Sequence, residues 1–268
     1  MQIVTLTTDF GSGDYDLGSM MGVIWSRAPG ARLVDLTHEI ERHHIRQAAL
    51  ALDRCTPYFP AGTIHLVVVD PGVGTQRKPL AAQLGDQWFV GPDNGLLTLM
   101  LRRAQAAAKP VKIVHTHNRQ YWLSQVSSIF HGRDVFASVA GYLAAGIPVS
   151  KFGAEIDDVV LLDFPKPQPH AGGWLGQVMD IDHFGNLETN IHRDRLQGYG
   201  ALKVTSGSYT IYGLVRTFGD GRPGDLVALI DSSDYLSIGL VNGNAAAHMA
   251  AHIGDPVLVH PFENQGVQ

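Results

Sequence analysis

The chain has 268 residues, 45% of them hydrophobic and 17% charged, which indicates a folded protein of one or two domains and excludes wholesale disorder. The net charge is −5, with 20 Lys and Arg spread thinly, so no nucleic-acid partner is expected. The single cysteine, Cys55, has no internal disulfide partner, and no stretch reaches the about 18 apolar residues of a membrane span. Without a signal-like N-terminus, we expect a soluble cytoplasmic protein with a small-molecule partner.

Strand-like and helix-like periods alternate along the first 160 residues, which predicts an α/β domain with a central, largely parallel sheet. The apolar, β-branched run at residues 64–69 should be the central strand of that sheet. In chain order, the expected strands are residues 2–8, 32–36, 64–69 and 111–115, and the expected helices are residues 17–25, 45–52, 96–108 and 134–145.

A proline-rich segment marks a predicted domain boundary. Residues 163–170 read Asp-Phe-Pro-Lys-Pro-Gln-Pro-His, an extended pattern that fits neither a helix nor a central strand. We therefore predict an α/β domain over residues 1–163, a linker over residues 164–173 and a β-rich domain over residues 174–268. Its expected strands are residues 176–181, 201–204, 226–230, 235–241 and 257–260, with one helix at residues 245–252.

The first candidate site follows the first predicted strand, where residues 7–11 read Thr-Thr-Asp-Phe-Gly. An ionised Asp9 would offer only acceptors, which suits the two adjacent hydroxyls of a ribose. A turn or N-cap aspartate explains the same spacing equally well. The glycines do not form the dinucleotide-binding pattern Gly-x-Gly-x-x-Gly.

The second candidate site follows the predicted central strand, where residues 69–77 read Val-Asp-Pro-Gly-Val-Gly-Thr-Gln-Arg. The glycines permit a tight backbone path close to a ligand, and Arg77 is near enough to fold back onto Asp70. Asp-Pro-Gly is also common turn chemistry, so an Asp70–Arg77 pair that only fixes the loop is an equal alternative.

The third candidate site is Phe-His-Gly-Arg-Asp at residues 130–134, just before a predicted helix. Histidine exchanges protons readily near neutral pH, so His131 is a candidate acid or base. The chain has 13 histidines, most of which must be structural or exposed. His248 and His252 have a zinc-like i, i+4 spacing, but no third ligand accompanies them, so no metal site is predicted.

In the second domain, residues 182–186 read Asp-His-Phe-Gly-Asn. Asn186 carries an amide that donates and accepts at once, as the edge of a purine requires. An Asx turn, in which Asp182 and Asn186 bond their own backbone, is the simpler explanation of this motif alone.

Taken together and in order, these motifs and Gly-Pro-Asp-Asn-Gly at residues 91–95 closely resemble the S-adenosyl-L-methionine (SAM) hydrolase (adenosine-forming) family. This family, also called the SAM hydroxide adenosyltransferases, is related to the fluorinating and chlorinating enzymes that use SAM. The resemblance covers essentially the whole chain. It implies an N-terminal α/β domain, a C-terminal β-barrel domain, and a homotrimer with active sites between subunits.

The resemblance also implies roles for individual residues. Asp70, Arg77 and His131 match the family's water-activating groups, and Asp9 matches the residue that grips the ribose. Ser232 and Ser233 fall where the halogenating relatives have Ser-Arg, so carboxylate binding here would rely on hydroxyl and backbone donors. The full implied substrate-binding set is Asp9, Phe10, Asn94, Phe130, Asp182, Asn186, Ser232, Ser233 and Ala245.

The implied reaction is attack of an activated water on ribose C5′ of SAM, giving adenosine and L-methionine, with no metal or cofactor. Two alternatives remain at this point: a SAM-dependent halogenase, and a non-catalytic protein that binds adenosine nucleosides. The span between Arg77 and Gly91 is too short for the extra loop of the fluorinating relatives, which favours hydroxide over halide. Whether Asp70 or His131 takes the proton is open, because paired groups titrate jointly.

Overall fold

The computed structural model describes residues 1–262. Contacts between residues cluster in two compact units, Met1–Leu162 and a second that begins at Asp163, where the proline-rich segment starts. Within the described residues, no helix combines the length and apolar character needed to cross a bilayer.

The first unit alternates strands and helices, as predicted. Its elements are β1 (Ile3–Thr8), α1 (Tyr15–Arg27), β2 (Arg32–Thr37), α2 (Ile45–Cys55), β3 (Ile64–Val68), β4 (Pro79–Leu84), β5 (Gln87–Pro92), α3 (Thr98–Ala106), β6 (Val111–His115), α4 (Ser138–Ala144) and β7 (Ala154–Glu155). A π-helical turn, Gly132–Ala137, leads into α4.

The strands of this unit form one mixed sheet in the order β2-β1-β3-β5-β4-β6-β7. Pairing is parallel from β2 through β5 and antiparallel from there to β7. The α/β prediction is confirmed, and the antiparallel part comes from the β4–β5 hairpin, which the sequence analysis did not anticipate. That hairpin turns tightly at Gly85, whose φ is +69°.

Helices cover both faces of the sheet, which is why its strand β3 is apolar at every position except His65. All five residues of β3 are buried, and its neighbouring side chains alternate between two cores. Leu66 and Val68 pack in the core that includes α1 and α4, whereas Val67 and Val69 pack in the core that includes α2 and α3. A parallel strand buried on both faces requires such a nearly continuous apolar run.

The parallel register places two candidate sites at one edge of the sheet. Thr8, the last residue of β1, pairs with Val68, the last residue of β3. Asp9 and Asp70 therefore follow neighbouring strands at their carboxyl ends, where open α/β sheets bind ligands.

The second unit is an all-antiparallel, barrel-like sheet around its own core. Its strand order is β12-β11-β15-β9-β10-β14-β13, with β8 beside β9. The amide of Val215, beyond β12, donates to Ala228 of β13, which brings the two ends of the sheet together. The elements are β8 (Gln168–His170), β9 (Gly173–Ile181), β10 (Leu187–His192), β11 (Leu202–Ser206), β12 (Tyr209–Tyr212), β13 (Leu226–Ile230), β14 (Tyr235–Leu240), α5 (Ala245–Met249) and β15 (Pro256–Pro261).

Candidate functional site

Three side chains that are far apart in the sequence meet beyond the carboxyl end of β3. Arg77 Nε lies 2.9 Å and 3.0 Å from the two carboxylate oxygens of Asp70, and Arg77 Nη2 also donates to Asp70 Oδ2. The same Nη2 lies 2.9 Å from Nδ1 of His131. The carboxylate thus fixes the plane of the guanidinium, and the guanidinium in turn meets the imidazole.

This cluster is largely withdrawn from solvent. The side chains of Arg77 and Asp70 are only 9% and 5% exposed, and the guanidinium carbon of Arg77 lies 4.9 Å from the centre of the Phe136 ring. Arg77 Nη1 is buried and has no hydrogen-bond partner among the described residues. Because an unsatisfied buried donor costs about 1–3 kcal/mol, Nη1 is a natural donor to an oxygen of a bound molecule.

The contact with Arg77 determines which nitrogen of His131 carries the proton. A guanidinium can only donate hydrogen bonds, so Nδ1 of His131 must accept, and the neutral ring carries its proton on Nε2. Burial, and then the positive charge of Arg77, hold the pKa of His131 below the usual 6.5. The imidazole is therefore neutral at pH 7 and presents an N–H donor.

Asp70 and His131 of this cluster line a cavity of about 250 Å³ in the first unit, and Arg77 is bonded to both of them. Five of the predicted site residues line this cavity: Asp9, Phe10, Asp70, Phe130 and His131. Phe10 and Phe130 meet edge to face, with ring centres 6.1 Å apart. The cavity therefore combines an apolar wall with the polar groups that the sequence motifs singled out.

Among the residues of the cavity that were not predicted from the sequence, two carry basic side chains, Arg42 and His43. The backbone amide of His43 donates to Asp9 Oδ2 at 2.8 Å, with His43 in the left-handed region at φ +64°. This bond orients the carboxylate from across the sheet edge. A positive φ at a non-glycine residue leaves no recognisable motif in the sequence, so this contact could not be predicted.

The second unit has a cavity of its own, of about 450 Å³. Asn186 lines it, together with two aromatic residues that the sequence analysis did not assign, Phe184 and Phe218. Their side chains are unusually exposed for phenylalanine, at 74% and 41%. Phe184 lies inside the Asp-x-Phe-Gly-Asn motif, so it could have been predicted as a site residue. No motif surrounds Phe218, so it could not.

The loop that carries Asn186 is braced by Asp182. Asp182 Oδ1 accepts the backbone amides of Phe184 and Asn186 at 2.9 Å and 2.8 Å, and Oδ2 accepts the side-chain amide of Asn186 at 2.7 Å. Asp182 thus holds the rim of this cavity in place, which is the Asx-turn arrangement that the sequence left open.

Like Arg77 and Asp182, four further predicted site residues line neither cavity. Asn94 donates its side-chain amide to the carbonyl of Val69 at 2.9 Å, which supports the chain just before Asp70. Ser232 and Ser233 lie in the turn between β13 and β14, where Asp231 accepts the amide of Ser233. Ala245 is fully buried in the core of the second unit.

Within residues 1–262, no three His, Cys, Asp or Glu side chains lie close enough together to hold a metal ion. A carboxylate and a neutral imidazole line the first cavity, and a guanidinium is bonded to both. Such a set can polarise a water molecule, orient it and accept its proton.

Comparison with known proteins agrees with these motifs over nearly the whole chain. The family models for the N-terminal and C-terminal domains of SAM hydroxide adenosyltransferase match residues 4–153 and 176–258. An (R)-S-adenosyl-L-methionine hydrolase of Salinispora tropica is 36% identical over 259 residues, which cover 96% of this chain and 97% of that protein.

Two further proteins are similar to this chain. A fluorinase of an Actinoplanes species is 28% identical over 271 residues, covering 88% of this chain and 90% of the fluorinase. The crystal structure of a conserved protein from Thermotoga maritima superposes with a TM-score of 0.86 at 33% identity, covering 97% of this chain and 100% of that one. The predicted resemblance is confirmed, and this chain belongs to the SAM hydroxide adenosyltransferase family.

Proposed function

We propose that this protein hydrolyses SAM to adenosine and L-methionine by attack of water on ribose C5′, without a metal or cofactor. The observation that carries the proposal is the contact of Arg77 with Asp70 and His131, two residues that line the same cavity as Asp9. Because the Salinispora relative is named for the (R)-epimer at sulfur, that epimer is the proposed substrate.

The difficult part of this reaction is the nucleophile. The sulfonium leaves as a neutral thioether, whereas water is a poor nucleophile and hydroxide is scarce at neutral pH. The C5′–S bonding pair goes to sulfur as the O–C5′ bond forms, and the water loses a proton. A positioned general base contributes about 10²–10⁴-fold to such a step.

We propose separate roles for the three groups. Nδ1 of His131 is occupied by Arg77, so His131 orients the water through its Nε2–H, and the Asp70 carboxylate accepts the proton. The unpartnered Nη1 of Arg77 stabilises the negative charge that develops on the water oxygen. Alignment of water, C5′ and sulfur adds an orientation effect of up to roughly 7–11 kcal/mol.

The remaining groups are proposed to hold the substrate. Asp9 accepts hydrogen bonds from the ribose hydroxyls, with its carboxylate oriented by His43. In the second unit, the exposed rings of Phe184 and Phe218 stack on adenine, and Asn186 bonds its edge. Asp182, Ser232 and Ser233 serve the methionine moiety.

The proposed assembly is a homotrimer, in which the first unit of one subunit and the second unit of its neighbour share a substrate. This follows from the family resemblance. The proposed location is the cytoplasm, where the single cysteine would remain reduced. No nucleic acid or membrane takes part.

Two observations favour hydroxide over halide. A halide needs no deprotonation, so a carboxylate, guanidinium and imidazole set would be superfluous for it. The chain between Arg77 and Gly91 is also occupied by the tight β4–β5 hairpin, which leaves no place for the additional loop expected of a fluorinating enzyme.

The test is incubation of the purified protein with each SAM epimer, followed by chromatography of the products. We expect adenosine and methionine in equal amounts, and no halogenated nucleoside when chloride or fluoride is added. A 5′-halo-5′-deoxyadenosine would assign the protein to the halogenases. Tight binding of SAM by a folded protein without any product would support the non-catalytic alternative.

A further inference from the structure

One fully buried charge close to the first cavity has no part in the mechanism above. Asp134 lies in the π-helical turn Gly132–Ala137, three residues after His131, and its side chain is 0% exposed. A buried carboxylate is strongly unfavourable unless it is paired and hydrogen-bonded. The partners of Asp134 therefore indicate what this charge stabilises.

The two carboxylate oxygens of Asp134 bind the chain on either side of His131. Oδ2 accepts the backbone amide of Ser127 at 2.7 Å, and Oδ1 accepts Arg133 Nε at 2.6 Å. The backbone carbonyl of Asp134 also accepts the amide of Leu123. The segment 123–133 is thus fastened to one buried residue at three points.

The Arg133 partner extends this network to the cavity wall. Its guanidinium carbon lies 4.9 Å from the centre of the Phe130 ring, and Phe130 meets Phe10 edge to face. Phe130 and Phe10 both line the first cavity. Asp134 therefore reaches the apolar wall through Arg133.

The same turn sets the direction of His131. The amide of Asp134 donates to the carbonyl of Phe130, which closes the wide turn around His131. His131 Nδ1 then lies 2.9 Å from Arg77 Nη2. A Cβ on Gly132 would come within 3.2 Å of both Phe130 and Val68, so the turn is packed closely against β3.

We propose that Asp134 is a positioning residue: through Ser127 and Arg133 it holds segment 127–133 so that His131 meets Arg77 and Phe130 closes the cavity wall. The expected effect on kcat and KM rests on the proposed function, whereas the positioning of His131 and Phe130 does not. The charged groups that act on His131 among the described residues are Arg77, Asp70 and Asp134.

The first variant is Asp134→Asn, whose amide oxygen can still accept the Ser127 amide but which no longer forms the ion pair. We expect kcat for SAM to fall by up to about 100-fold, since small displacements of reacting groups cost that much. The negative charge of Asp134 favours the protonated imidazole, so the acid limb of the rate profile should also move to lower pH.

The second variant is Arg133→Met, which keeps a long apolar side chain and removes the guanidinium over Phe130. We expect KM to rise more than kcat falls, because the wall is loosened while His131 and Arg77 remain. Arg119→Met is the matched control: Arg119 lies 5.5 Å from the Trp122 ring and lines neither cavity, so its kinetics should be those of the wild type.

A measurement that does not depend on turnover tests the positioning role of Asp134 separately from the proposed function. NMR titration of the His131 ring, without substrate, should show a lower pKa in Asp134→Asn than in the wild type. A folded Asp134→Asn protein with unchanged kcat, KM and His131 titration overturns the proposal. If Asp134→Asn does not fold, Arg133→Met decides, and an unchanged KM overturns it. A wild type without hydrolysis but with the expected titration shift rejects only the proposed function.

Discussion

Arg77 Nη2 lies 2.9 Å from Nδ1 of His131, although 54 positions separate the two residues in the chain. This contact depends on two loops, one after β3 and one before the π-helical turn, reaching the same point. It sets the protonated nitrogen of the imidazole, and it links the two motifs from which the proposed chemistry is built.

Replacing Arg77 by Lys should lower kcat by about 10²-fold, the effect of losing one charge-stabilising donor, with little change in KM. A lysine ammonium cannot bind the Asp70 carboxylate through two nitrogens and also reach His131. Steady-state kinetics on SAM measure the effect. Arg103→Lys is the matched control, because Arg103 pairs with Asp53 at 2.9 Å outside the first cavity. Equal losses in both variants would contradict the assigned role.

Activity should fall as pH drops below about 6.5 and should be level through neutral pH. Burial and the charge of Arg77 lower the pKa of His131, so the ring is neutral at pH 7. Protonation of Nδ1 would replace the acceptor that Arg77 requires with a second donor. The measurement is kcat/KM against pH. An acid limb lying clearly above 6.5 would be inconsistent with this account.

Gly74→Ala should damage the site more than a left-handed backbone alone would explain. Gly74 has φ +76°, and a Cβ there would lie 2.3 Å from the carbonyl oxygen of Ser128, so the loop of Arg77 would be pushed off the loop of His131. A left-handed alanine costs about 1–2 kcal/mol by itself.

Gly146→Ala isolates that backbone contribution, because Gly146 has φ +90° and open space around its Cβ position. Thermal unfolding and kcat of both variants are the measurements. We expect both to be destabilised, but only Gly74→Ala to lose kcat. If the two variants had the same kcat, the packing of the Arg77 loop against the His131 loop would not be needed for turnover.

Phe218→Ala should raise KM for SAM by about 10-fold, since stacking of a base on an aromatic ring is worth about 1–3 kcal/mol. The chemical step should change little, because Phe218 is proposed to contact adenine only. Tyr212→Ala is the control, as Tyr212 is 65% exposed and lines neither cavity. Unaltered KM in Phe218→Ala would exclude the second cavity from adenine binding.

His65 should make folding sensitive to mild acid. It is fully buried in β3, its Nδ1 lies 2.8 Å from Thr5 Oγ1, and burial lowers its pKa to about 4. Between pH 6.5 and 4 the unfolded chain therefore binds a proton that the folded chain does not. Stability is kept above pH 6.5 and lost as pH falls, by up to about 1.4 kcal/mol per pH unit.

Urea unfolding of the wild type and of His65→Gln at neutral and acidic pH checks this. The variant should be less stable than the wild type at neutral pH, but its free energy of unfolding should decrease less on acidification. Parallel losses in the two proteins would show that other groups control the acid response.

The α/β character of the first unit could be predicted because β3 is apolar except at His65 and helical periods flank it. The β4–β5 hairpin could not, since Gln83 and Gln87 interrupt its pattern and its pairing partners are set by contacts far along the chain. In the second unit β10 was missed for a similar reason: its apolar residues, Leu187 and Ile191, are separated by three polar residues in a short run that resembles a loop.

In the candidate site too, some residues could be predicted from the sequence and others could not. Asp70, Arg77 and His131 were recognisable because each lies in a distinctive motif. His43 and Phe218 were not, because a backbone donor to Asp9 and an exposed ring on a barrel loop arise only once the chain is folded.

The most direct test of the account is turnover of SAM in water enriched in oxygen-18, with mass spectrometry of both products. Attack of water on C5′ predicts one heavy oxygen at the 5′ position of adenosine and none in methionine, with the reaction abolished in Asp70→Asn. Unlabelled adenosine, or label in methionine, would show that the C5′–S bond is not broken by water at this site.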